Sequence, residues 1–166
     1  MKNPEKNYQI CYTKISAPFR KHPHSIDALK IINKVLTIIP FVMYPLLLIF
    51  LWSEKDAIFW KILLYPAVGF VLLSLFRRGI NRARPYQTWA IDPLIVKRKR
   101  GCSMPSRHVF SSVVIAMAFV KVVPILGIIF FIISFFTGFI RIVGGVHYPS
   151  DVLVGIACGV IVGLFI

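Results

Sequence analysis

Three short polar clusters break an otherwise apolar chain: Arg77 with Arg84-Pro85, then Pro105-Ser106-Arg107-His108, then Arg141 with His147 and Asp151. They hold two of the chain's four histidines, arginines able to clamp an anion, and a carboxylate four residues beyond His147. That inventory suits phosphoryl transfer through a histidine nucleophile. A transferring phosphoryl group spreads negative charge over its equatorial oxygens and needs preorganised cationic donors. Arg77, Arg84 and Arg141 supply them, because guanidinium stays charged and binds two phosphate oxygens at once. A neutral imidazole with one ring nitrogen held by a carboxylate is a competent nucleophile, and His147 with Asp151 fits that pair. Departure of the leaving oxygen needs a general acid titrating near neutrality, for which His108 is the remaining candidate.

The three clusters resemble the signature of the type 2 phosphatidic acid phosphatase superfamily: Lys-x6-Arg-Pro, Pro-Ser-Gly-His, and Ser-Arg-x5-His-x3-Asp. Here the intervals read Arg77-x6-Arg84-Pro85, Pro105-Ser106-Arg107-His108 and Ile140-Arg141-x5-His147-x3-Asp151, so every spacing is kept. The resemblance implies that His147 becomes a phosphohistidine and that Asp151 orients it. It also implies that His108 protonates the leaving group and later activates water. Arg77, Arg84, Ser106 and Arg141 would hold the phosphate, with no metal and no cofactor. Three positions depart from the pattern: Arg77 stands for Lys, Arg107 for Gly and Ile140 for Ser. Arg107 adds a cation beside the general acid and points to extra negative charge in the substrate, such as a second phosphate.

The elements that must position these groups are membrane helices. Among 166 residues 57% are hydrophobic and the mean hydropathy is +0.76, above the roughly 45–50% apolar content of soluble domains. Uncharged or nearly uncharged runs at 35–52, 62–76 and 122–140 approach the roughly 20 residues that cross a bilayer as a helix. Shorter runs at 109–120 and 152–166 complete an expected all-α, polytopic transmembrane bundle of about five crossings. Residues 1–30 read as a basic interfacial segment, and 31–166 as the phosphatase-like domain. The first long helix is expected from about residue 31, with Pro40 and Pro45 inside it. Gly144-Gly145 permits a tight turn, and Pro149 suits the first turn of the last helix. With antiparallel neighbours, Arg77 ends one helix, His108 starts the next, Arg141 ends the following one, and His147 with Asp151 starts the last. All four ends then share one membrane face, where free helix N–H groups also favour an anion.

The net charge of +14 raises nucleic acid as a partner, but the chain offers no soluble domain to bind it. An anionic phospholipid or polyprenyl phosphate within the membrane fits better. Trp52, Trp60 and Trp89 read as interfacial anchors, and the basic run at 97–100 as a solvated or lipid-facing patch. Cys11, Cys102 and Cys158 give no disulfide framework. Two functions of different class follow. One is a multi-pass phosphatase of the cell membrane, acting on undecaprenyl diphosphate, phosphatidylglycerol phosphate or phosphatidic acid. The other is a non-catalytic lipid-phosphate binding or transport protein that retains the cradle.

Overall fold

The computed structural model describes residues 4–96 and 99–166. Residues 1–3 of the basic N-terminal segment, and Lys97 and Arg98 of the basic run, lie outside the described residues. Among those described, all regular structure is helical: α1 (Pro4–Arg20), α2 (Pro23–Ser53), α3 (Ile58–Ile80), the single turn α4 (Pro85–Thr88), α5 (Arg107–Val122), α6 (Pro124–Val143) and α7 (Pro149–Leu164). The chain is a multi-pass membrane bundle. Among the described residues three helices are long and apolar enough to cross a bilayer, and α7 is a shorter apolar helix. Exposed side chains such as Ile38, Val42, Ile49, Leu72, Phe76, Ile128 and Phe135 form a belt that water would disfavour and lipid accepts.

The first long helix starts at Pro23 rather than near residue 31, and it runs uninterrupted through Pro40 and Pro45. Its early start follows from packing. Leu29 is buried with Leu94, Ile95, Ile140, Val143 and Val146, and Ile26 and Leu36 pack against them. At 31 residues α2 rises about 46 Å, well beyond the roughly 30 Å hydrocarbon layer, so its first turns belong to the polar face of the bundle. α5 has 16 residues and rises only about 24 Å. It survives as a short central helix because its side chains from Val109 to Ala116 are buried among α2, α3, α6 and α7. Inside the bundle the Ser112 and Ser134 hydroxyls hydrogen-bond each other at 2.7 Å, and Ser134 donates to the Phe130 carbonyl at 2.8 Å. Such a link between helices in lipid contributes about 0.6–2 kcal/mol.

Two devices bring the polar helix ends together. At Gly145 the chain turns with φ +73°, and a Cβ there would lie 2.7 Å from the Tyr12 hydroxyl, so glycine serves both the turn and the docking of α1. The loop after α4 is pinned to this turn, since the Ile95 N–H donates to the Gly144 carbonyl at 3.1 Å. α1 then lies across that loop. The Leu94 N–H donates to the Tyr12 hydroxyl at 3.2 Å, and Arg20 pairs with Asp92 at 2.6 Å.

Candidate active site

The antiparallel order places the C-terminal ends of α3 and α6 beside the N-terminal ends of α5 and α7. Arg77, in the last turn of α3, donates to the carbonyl oxygens of Cys102 and Pro105, so it holds the loop that leads into α5. Arg84, just ahead of α4, donates to the carbonyls of Gly101 and Val146, each at 3.2 Å. Arg141, in the last turn of α6, donates through Nη2 to the Thr37 hydroxyl of α2 at 3.3 Å. Ser106 stands at the N-cap position of α5, and its hydroxyl makes no capping bond. Together with His147 and Asp151, these residues are each at most 4% exposed.

Pro149 opens α7, which sets Asp151 in its first turn and turns the carboxylate back over the helix start. Oδ2 accepts the Ser103 hydroxyl at 2.5 Å and the Tyr148 N–H at 2.9 Å, and faces His147 Nδ1 at 3.4 Å. The Ser103 hydroxyl also lies 3.4 Å from that nitrogen. Oδ1 accepts Arg82 Nη1 at 2.8 Å. A carboxylate this deeply buried is tolerated because both of its oxygens are satisfied. His147 stands in the turn between α6 and α7, and its pKa is pushed down to about 4, first by burial and then by the Arg84 and Arg141 cations, against the raising pull of Asp151. The imidazole is therefore neutral at pH 7 and keeps a lone pair.

Two buried polar atoms among these residues lack a hydrogen-bond partner within the described protein: Ser106 Oγ and Arg141 Nε. Buried donors and acceptors are ordinarily satisfied, so these two leave donor capacity that a ligand's acceptor oxygens could take up. Arg107 and His108 sit to one side, lining a cavity of about 200 Å³ with Phe41, Phe70 and Ser111. The Arg107 guanidinium carbon stands 5.6 Å from the Phe70 ring centroid. Among the described residues no three His, Cys, Asp or Glu side chains gather as a metal site.

Sequence reasoning missed three residues of this arrangement. Ser103 lies just ahead of the second cluster, and Arg82 was one cation among many between α3 and α5. Tyr148 supplies its backbone N–H to Asp151, and its ring carries Arg82 at 4.3 Å.

The profile of the PAP2 superfamily matches residues 58–166, which include all three polar clusters. The chain belongs to this superfamily. Lipid A 1-phosphatases of Rhizobium etli and Rhizobium johnstonii are each 32% identical to it over 94 residues, 54% of this chain. The match spans 40% and 38% of those relatives' own lengths, well under half. Among solved PAP2-like folds, LpxE of Aquifex aeolicus superposes with a TM-score of 0.73 at 25% identity, covering 93% of this chain and 90% of that one. A transmembrane PAP2 type phosphatidylglycerolphosphate phosphatase from Bacillus subtilis gives 0.68 at 23% identity, covering 95% and 83%. The PAP2 fold of this chain thus rests on its helices as well as on its motifs.

Proposed function

We propose that the protein is a metal-independent lipid phosphatase working at the membrane surface through a phosphohistidine. The observation that carries this reading is the pair of unsatisfied buried atoms, Ser106 Oγ and Arg141 Nε, beside a neutral His147 whose Nδ1 faces Asp151. With Nδ1 protonated toward the carboxylate, Nε2 holds the lone pair and attacks phosphorus. The bond to the leaving oxygen breaks as His108 donates its proton to that oxygen. In the second half, His108 takes a proton from water, the water oxygen attacks phosphorus, the P–N bond breaks and inorganic phosphate leaves. Arg84 and Arg141, with Ser106 and the positive dipole end at the start of α5, hold the equatorial oxygens. Arg77 acts on the same cradle by fixing the loop that presents Ser106.

The substrate is a lipid carrying a terminal phosphate or diphosphate. Undecaprenyl diphosphate and phosphatidylglycerol phosphate are the leading candidates, and the similarity to lipid A 1-phosphatases adds a phosphorylated glycolipid. Phosphate release from a panel of these lipids by the purified protein, with and without EDTA, tests the reading. Release from at least one lipid in the presence of chelator is expected. Tight binding of every lipid without release would overturn it in favour of a non-catalytic carrier.

A further inference from the structure

Outside the three clusters, an ion pair reaches the site from Arg82, in the loop between α3 and α4. Its Nη1 donates to Asp151 Oδ1 at 2.8 Å and to the Ser150 hydroxyl at 2.9 Å. Its guanidinium lies over the Tyr148 ring at 4.3 Å. That ring is itself fixed: the Tyr148 hydroxyl accepts Trp89 Nε1 at 3.0 Å, and Tyr8 of α1 packs on both rings, at 5.2 Å from Tyr148 and 5.7 Å from Trp89. Arg82 is thus held by its face and by its edge. The Arg82 side chain is 34% exposed, whereas the Asp151 side chain is fully buried.

We infer that Arg82 is a positioning residue for the His147–Asp151 pair, acting through the carboxylate. The two oxygens of Asp151 have separate partners, and Arg82 on Oδ1 adds to the Ser103 and Tyr148 bonds on Oδ2 in restraining rotation of the carboxylate about its Cβ–Cγ bond. With Arg82 on Oδ1, Oδ2 stays turned toward His147 Nδ1. Arg77, Arg84 and Arg141 spend their described hydrogen bonds on carbonyls or on Thr37. Arg82, whose Nη1 also reaches the Ser150 hydroxyl and Met104 Sδ, bonds to the acid itself. A salt bridge this exposed would ordinarily contribute little, but here one partner is buried and is the group that orients the nucleophile.

The inference rests on the reading of His147 as nucleophile, and the experiment separates the two. Steady-state hydrolysis of a short-chain lipid phosphate in detergent is measured for the wild type, Arg82→Ala, Arg82→Lys and His147→Ala. Loss of a hydrogen bond to a charged group corresponds to roughly ten- to hundredfold, so Arg82→Ala should lose that factor in kcat with KM within about twofold of the wild type. Arg82→Lys should recover part of the loss. Added guanidinium chloride, at concentrations too low to unfold the protein, should rescue Arg82→Ala but leave His147→Ala inactive, a response that a purely structural role for Arg82 would not give. If Arg82→Ala does not fold, Arg82→Gln takes its place with the same expectation. An undiminished kcat, a rise in KM at constant kcat, or no rescue by guanidinium overturns the positioning role. A wild-type protein without turnover overturns the functional reading and this inference with it.

Discussion

Ser106 and Asp151 are joined through the backbone: the Ser106 N–H donates to the Asp151 carbonyl at 2.9 Å. This bond ties the start of α5, which carries Arg107 and His108, to the first turn of α7. The approach is possible because Gly155, one turn further along α7, presents no side chain. A Cβ at Gly155 would lie 2.9 Å from the Ser106 carbonyl oxygen, and a backbone atom cannot swing aside as a side chain can. Gly155→Ala should therefore push the two helix starts apart, at about 1–3 kcal/mol. A lowered melting temperature in detergent, together with reduced kcat, is the expected result. Unchanged stability and turnover would show that the two helix starts slide freely.

His147→Ala should abolish turnover, since among the described residues His147 supplies the imidazole that lies against Asp151. Rapid acid quench of the wild type with labelled lipid phosphate should trap an acid-labile phosphoprotein, and the variant should trap none. Label retained on the variant would sink the nucleophile assignment.

The pH dependence follows from the depressed pKa of His147, about 4 against an ordinary 6.5. The nucleophile stays unprotonated well below pH 6.5. Once kcat/KM is corrected for the lipid phosphate's own second ionisation near pH 6, it should hold level from neutrality to about pH 5, with its acid limb lower still. A corrected limb at the ordinary histidine value would contradict the burial-driven shift. The same shift governs stability. The folded value lies below the unfolded one, so the unfolded chain binds the extra proton as pH falls from 6.5 toward 4, and native stability declines across that window.

Arg107 tests the substrate. Its cation is the largest cause of the lowered Lys99 pKa, so Arg107 and Lys99 lie close enough to repel each other. Arg107→Gly should raise KM for a diphosphate lipid by roughly ten- to hundredfold and leave a monophosphate lipid nearly unaffected. Small and parallel changes on both would assign Arg107 to its packing on Phe70 alone.

The spacing of the three clusters made the gathering of their buried polar residues legible, because helix ends on one membrane face follow from apolar run lengths and antiparallel order. The partners of Asp151 were not legible in the same way. Arg82 reaches the carboxylate only because the loop after α3 folds back over α7, a path set by Arg77 and Arg84 bonding to main-chain carbonyls. Nothing in residue type separated Arg82 from Arg78 or Arg100. The docking of α1 was hidden for a similar reason. Tyr8, Tyr12 and Arg20 reach Trp89, Tyr148, Leu94 and Asp92 across long sequence separations, and their composition suggested only a membrane surface. α2 began earlier than its uncharged run because Ile26 and Leu29 found protein rather than water on one side.

Arg77 stands where the superfamily pattern has Lys, and its forked head reaches two carbonyls of the loop that delivers Ser106. An ammonium on a single stem has no such fork. In this chain the arginine is part of the architecture, so Arg77→Lys would be a loss and not a repair: the exchange that restores the superfamily's usual residue would untie the loop that delivers Ser106.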